Sequence, residues 1–223
     1  MVAQHAGFDR RRRQGVRAGW GAAEEGTGRM SGIPFPPIEG RTCGPCTACC
    51  EHLIVDEPEL QKLPGVLCEH CIRDGGCGIY QTRPTICRTW YCGWRRFAWL
   101  EDAWRPDQSG IIVMFEENDI PNGYGSRIAL KLELIGTSDA LLNPSIATVL
   151  AMLFEHNIAV FLSIPGTAGY AGKKTLLNPI LKDAVARRDQ TAVSYCLLDI
   201  LVSSALSPRE KIVLSGSGSG RPA

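Results

Sequence analysis

From residue 111 onward the apolar positions recur with two clear periods. Ile111 to Phe115 is an unbroken apolar run of strand length and predicts a buried strand. Ile128, Leu130, Leu132 and Leu134 alternate with Ala129, Lys131 and Glu133, which predicts a half-buried strand; Asn122-Gly123 in the connection signals a hairpin. Asn143 and Pro144 supply an N-cap and a first-turn proline. After them Ile146, Val149, Leu150, Leu153 and Phe154 fall at i, i+3, i+4, i+7 and i+8 of a helix. Ile158 to Ile164 predicts another buried strand. Asn178-Pro179 repeats the capping pair before a helix running to about Arg188, and a last helix carries Val193, Cys196, Leu197, Ile200 and Leu201 on one face. The order β-β-α-β-α-α predicts a small α+β domain over residues 106–214. No internal repeat appears.

Residues 41–105 read differently. His52 to Val55 suggests a short strand, and Asp56 is placed to cap a brief helix through Leu63 with Pro58 in its first turn. The segment has too few aliphatic residues for its length, so something other than a hydrophobic core must organise it. Residues 1–40 have no apolar periodicity, many Gly and Arg, and the stretch Ile33-Pro34-Phe35-Pro36-Pro37; they read as a disordered lead-in. The shift in composition at Met30 makes that residue the expected start. Residues 215–223 are Gly/Ser-rich and read as a flexible tail.

The 223 residues leave room for one large domain or two small ones. With 24 basic and 23 acidic residues the net charge is +1, which does not imply a global electrostatic grip on nucleic acid. The run Arg10 to Arg13 then reads as a solvated tail. No apolar signal-type stretch precedes Cys43, and the best membrane candidate, Ser145 to Pro165, carries Glu155 and His156 at its centre. The expectation is a cytoplasmic protein without a membrane span.

Ten cysteines change the picture, because nine lie between Cys43 and Cys92. In a reducing compartment such a cluster holds metal or does redox chemistry rather than forming disulfides. Cys43-Gly-Pro-Cys46-Thr-Ala-Cys49-Cys50 places four thiols in eight residues. C-x-x-C lets two sulfurs converge on one ion across a tight turn, and Gly44-Pro45 is suitable turn material. Three cysteines at that spacing are typical of a cubane iron–sulfur cluster, whereas zinc takes C-x-x-C in pairs; Cys68, Cys71, Cys77, Cys87 and Cys92 lie further on for either. Four ligands per site would let nine cysteines fill two sites with one left over. Adjacent Cys49 and Cys50 tend to point apart, towards different ions, unless a bent backbone converges them.

These residues resemble the YkgJ-type cysteine-cluster family, described as a zinc- or iron-chelating domain. Its C-x-x-C-x-x-C-C element is matched by Cys43, Cys46, Cys49 and Cys50. Its second element is matched by Cys68 and by Cys77-Gly-Ile79-Tyr80-Gln-Thr-Arg83-Pro84-Thr-Ile-Cys87, with Cys92 as the trailing cysteine. The resemblance spans about residues 43–92 and implies Cys43, Cys46, Cys49, Cys50, Cys68, Cys77, Cys87 and Cys92 as ligands to zinc or an iron–sulfur cluster. Cys71 and Cys196 have no counterpart in it. A related cluster in flagellin lysine methylases gives the alternative of an iron–sulfur enzyme for electron transfer or protein lysine modification. The resemblance supplies no catalytic residue and no substrate.

Arg83 either donates to thiolate sulfurs or ties loop carbonyls together. Arg83-Pro84 is expected to open a turn or helix with Thr82 as its cap, and Tyr80 is expected to pack. His52 and His70, inside the cluster, are each able to complete a Cys3His site. His156 is expected as a cation at a helix end. Trp90, Trp94 and Phe97 share one helical face, which suits a lid over the metal or a seam to the second half better than base stacking. Gly166 to Thr175 fails the phosphate-loop spacing: its first glycine is one residue early, and Lys174 stands where the hydroxyl belongs. A mobile loop is expected there. Cys196 is expected to be a core thiol. The remaining role for the chain is binding of a protein partner, with the metal standing in for a core.

Overall fold

Gly44-Pro45 makes the first turn of the cysteine-rich stretch. Gly44 takes φ +54°, a value natural to glycine, and the Cys46 amide closes back on the Cys43 carbonyl at 3.0 Å. The structure, a computed structural model, describes residues 35–72, 75–126 and 128–215. The arginine run at 10–13, the expected start at Met30, almost all of the expected lead-in and the tail beyond Ser215 lie outside the described residues. The chain separates between Pro36 and Pro37, and the unit Pro37–Ala223 holds both the cysteines and the sheet.

After the first turn comes a short helix, α1 (Ala48–His52), whose Cys50 and Glu51 amides donate to the Thr47 carbonyl at 2.8 and 3.2 Å. Next stand β1 (Val55–Glu57) and β2 (Leu60–Lys62), an antiparallel pair in which Glu57 opposes Leu60 across a two-residue turn. This corrects both the strand expected at 52–55 and the helix expected at 56–63. Leu60 and Lys62 point inward with Gln61 outward, the period of a strand. Asp56 does not cap a helix: its carboxylate accepts from Gln61 Nε2 opposite at 2.9 Å and from the Ser215 amide and hydroxyl at 2.9 and 2.6 Å. The expected tail therefore begins with a fixed residue.

A second small pair, β3 (Cys71–Ile72) and β4 (Gly76–Cys77), precedes α2 (Thr85–Thr89) and α3 (Gly93–Arg96). Pro84 precedes α2, as its ring favours, but no side chain caps that helix, so Thr82 does not act as expected. The chain leaves helical geometry at Trp90–Cys92, so Trp90, Trp94 and Phe97 do not share one helix. Trp94 and Phe97 are nonetheless buried. Arg41 holds this turn by donating to the carbonyls of Trp94, Phe97 (3.0 Å) and Leu100 (2.6 Å).

The second half is the expected α+β arrangement with one added strand. A brief helix, α4 (Pro106–Ser109), leads through left-handed Gly110 into β5 (Ile111–Glu116), which pairs antiparallel with β6 (Ala129–Leu134). Then α5 (Pro144–Glu155) crosses to β7 (Val160–Ile164), parallel to β6. The Asn143 cap is real: its Oδ1 accepts from the Ser145 amide at 3.0 Å, and His156 stands at the far end of α5. β6 is not half-buried. Ile120 and Tyr124 from the β5–β6 connection pack against Ala129, Ala159 and Phe161, covering its second face.

The added strand is β8 (Lys173–Leu176), antiparallel to β7 with Phe161 opposite Leu176. The glycine-rich segment thus leads into an edge strand, and Lys174 Nζ meets Glu116 at 3.1 Å and Asp119 at 3.2 Å instead of waiting for a phosphate. Its loop is also tied down: the Gly169 amide donates to Pro64 O (3.0 Å), and Ile212 and Ala171 exchange main-chain bonds with Gly169 and Glu210. Asn178, at the start of α6 (Asn178–Ala186), does not cap it. Its side chain accepts from Val160 N (2.8 Å) and donates to Ile158 O (2.9 Å), fastening the helix to the entry of β7. α7 (Gln190–Ala205), capped by Asp189 on the Ala192 amide, buries Val193, Leu197 and Ile200 and leaves Cys196 half-buried. Among the described residues no helix is long and apolar enough to cross a membrane.

The two halves meet where α3 lies on β5. A Cβ at Gly93 would sit 2.7 Å from Val113, and the Phe97 and Phe115 rings meet edge-on at 5.3 Å. The aromatic run therefore forms the seam. Gly93→Ala should destabilise the fold by about 1–3 kcal/mol through overpacking, read as a lower urea midpoint. The double variant with Val113→Ala should lose less than the sum of the two single losses.

Candidate metal centre

All ten cysteines are free thiols. Nine of them approach one another although they come from separated turns, strands and helices, and main-chain hydrogen bonds do the assembling. The Cys68 amide donates to Cys50 O at 2.9 Å, and the Cys71 amide to Cys68 O at 2.9 Å. The β3–β4 pair sets Cys71 opposite Cys77, while the Gly78 amide returns to His70 O at 2.8 Å. Gly76, at φ +82°, lies so close to the first turn that a Cβ would stand 2.9 Å from Gly44 O. Only glycine fits there. α2 then contributes Cys87, and Cys92 sits buried at the entry to α3.

The thiols fall into neighbourhoods. Cys49 faces Cys43 and Cys46, while Cys92 faces Cys43 and Cys46. Burial pushes the Cys46 thiol up to about 11, against the pull of the Ala48 and Asp107 amides that favour its thiolate. Burial likewise raises Cys92, although the Arg95 and Trp94 amides favour its charged form without closing a cap hydrogen bond. Cys49 and Cys50 hydrogen-bond each other. That bond raises Cys49 and lowers Cys50, so the pair gives up its first proton from Cys50. Cys50 also bonds Cys71, which faces Cys68 and Cys77; Cys87 faces Cys50, Cys68 and Cys77. Burial raises both Cys71 and Cys87.

Three cations attend these sulfurs. Arg83 lies 3.9 Å over the Tyr80 ring, and its charge favours the thiolates of Cys50 and Cys87. Its half-buried guanidinium keeps Nε without a hydrogen-bond partner. Tyr80, 44% exposed, is a platform for Arg83 and not a packed core ring. Arg95 stands beside Cys92 and over Tyr91, with Nε and Nη1 buried and unpartnered. Lys62 is only 5% exposed and donates to the carbonyls of Glu51 (2.9 Å), Leu63 (3.1 Å) and Val66 (2.9 Å). Burial presses its pKa down, while Cys68, Cys50 and Cys49 nearby work the other way.

Burial lowers the pKa of His52, whose charged neighbours are Glu51, Glu133 and Lys62 rather than thiols. His70 Nε2 is 3.8 Å from Glu69. Among the described residues, no three Cys, His, Asp or Glu side chains already converge as a metal-ligating group. The donor set itself suits a thiophilic ion: free sulfurs as neighbours, cations beside them and buried N–H donors left unused. No protein-family model, no curated protein and no solved structure matches the chain.

Sequence reasoning passed over Lys62 and held Cys71 out of the ligand set. Lys62 shares the inward phase of Leu60 two residues before it, and Cys71 stands at C-x-x-C spacing from Cys68; those were the available signals. Lys62→Met should cost at least about 2 kcal/mol, because three buried carbonyls lose their donor. Urea unfolding at neutral pH checks this, with exposed Glu59→Ala expected within about 0.5 kcal/mol of wild type.

Proposed function

We propose that this chain is a metal-binding protein that holds zinc or an iron–sulfur cluster through Cys43, Cys46, Cys49, Cys50, Cys68, Cys77, Cys87 and Cys92. The observation that carries the reading is the gathering of free thiols from separate segments beside Arg83 and Arg95, whose buried N–H donors lack partners. Neutral thiols gain little from such donors, whereas thiolates bound to a metal gain a charge-assisted hydrogen bond. Zinc would supply cross-links that stand in for a hydrophobic core; an iron–sulfur cluster would supply one-electron redox chemistry. The resemblance of residues 43–92 to the YkgJ-type cluster points the same way and rests on the motif residues alone. A reducing, cytoplasmic location belongs to the proposal, since free clustered thiols persist there. With the metal standing in for a core, the role of the chain in this reading is to bind a protein partner.

Anaerobic purification followed by elemental analysis and a visible spectrum tests the reading. A colourless sample with stoichiometric zinc, or a brown one with iron and acid-labile sulfide, supports it. A folded sample with neither metal overturns it. Cys46→Ser should lower metal content and solubility together, because metal binding and folding share one free energy; unchanged metal content would count against the ligand set.

A further inference from the structure

We propose that Cys71 and Cys77 are a redox-reactive pair: oxidation by hydrogen peroxide joins them in a disulfide across the β3–β4 hairpin and so withdraws Cys77 from metal binding. The withdrawal rests on the metal-binding reading above, whereas the pairing rests on strand register.

Main-chain bonds fix that register. β3 and β4 place Cys71 directly opposite Cys77 and Ile72 opposite Gly76. One step along, the Gly78 amide donates to His70 O at 2.8 Å, so His70 and Gly78 form a hydrogen-bonded pair. Bonded and non-bonded pairs alternate in an antiparallel ladder, which makes Cys71 and Cys77 a non-bonded pair. Their other bonds agree: the Cys71 amide is spent on Cys68 O at 2.9 Å, and the Cys77 carbonyl accepts from the Tyr80 amide at 3.2 Å. In such a pair the Cα atoms stand about 4.5 Å apart and the side chains leave the same face. A disulfide takes Cα separations of about 4.4–6.8 Å, so the hairpin already has the required spacing. A slip of one residue would give Cys77 a different neighbour. Gly76 opposes such a slip, because it is held against the first turn at a point where a Cβ would stand 2.9 Å from Gly44 O.

Other cysteines are close in sequence, but their geometry is less committed. Cys43 with Cys46, and Cys68 with Cys71, each bracket a turn closed by one amide-to-carbonyl bond. A turn does not set the directions of its end side chains, whereas strand pairing does. Both thiols of the hairpin are half-buried free cysteines. Ile72 between them is 55% exposed, and Gly75 and Gly78 face solvent, so a small oxidant has access. Hydrogen peroxide oxidises one thiol of the pair to a sulfenic acid and leaves as water; the other thiol attacks that sulfur, forms the S–S bond and releases a second water. Two electrons pass from the sulfurs to the peroxide. Cys71 stands outside the ligand set, so it remains available for this step while Cys77 serves the metal. Once in a disulfide, Cys77 has no thiolate to offer.

The full chain, purified anaerobically, is treated with an equimolar amount of hydrogen peroxide. Its remaining thiols are alkylated and the unreduced digest is read by tandem mass spectrometry. The expected first disulfide joins Cys71 to Cys77, and dithiothreitol should remove it. A first disulfide that joins Cys71 to another cysteine, or that leaves Cys71 reduced, overturns the pairing. That map needs only the wild-type chain, so it decides the matter even if a variant fails to fold. Metal content of the same samples tests the coupling: treated wild type should lose metal, and Cys71→Ser should keep it under the same treatment. Equal loss from both, or a Cys71–Cys77 bond formed without loss, overturns the coupling. A folded wild type that carries no metal yet forms the bond would support the pairing and overturn the metal-binding reading itself.

Discussion

Irregular chain has no ladder to satisfy its carbonyls, and the cysteine-rich half solves this with buried and half-buried cations. Arg41 gathers the carbonyls of Trp94, Phe97 and Leu100; Lys62 gathers those of Glu51, Leu63 and Val66; Arg96 takes Tyr91 and Thr89. Arg209 does the same in the second half, with Ile164 and Ser204. Each such bond carries a charged donor and contributes more than a neutral one, about 1.5–3 kcal/mol against 0.5–1.5. The desolvation cost of these cations is thereby offset at several acceptors at once. Turns that would otherwise need water are held in place, and the sulfurs ride on those turns.

Lys62 joins this scaffold to the chemistry. Its three donors are committed to carbonyls, so it does not hydrogen-bond a sulfur, but its charge lies beside Cys49, Cys50 and Cys68. Arg83 and Arg95 are the converse: stacked on tyrosine rings and left with unused N–H groups. One kind of cation fixes the backbone, and the other remains able to meet negative charge on sulfur.

The parts legible in the sequence were those with long periods. The α5 stripe, its Asn143 cap and the runs that became β5 and β7 followed from apolar spacing. Lys173 to Leu176 escaped notice because an edge strand with two lysines shows no apolar alternation, its place being set by Phe161 and Glu116 across the sheet. Asn178 misled for a related reason: the same amide that caps a helix also satisfies a strand entry, and only the fold decides which. Residues 56–63 misled because Pro58 suits a hairpin turn as well as a first helical turn. The thiol-bearing segments were evident as a motif. Their sorting into neighbourhoods was not, since it depends on pairings such as Cys71 with Cys77 that link very short elements.

The bond between Asp56 and Ser215 spans 159 positions of sequence. A ribosome adding 5–20 residues each second would release the second partner about 8–30 s after the first. The Gly169 amide that supports Pro64 also emerges long after the residue it supports. During that interval the hairpin lacks its later supports. Biosynthesis of this chain therefore contains a window in which its first hairpin stands without the bonds that later fasten it.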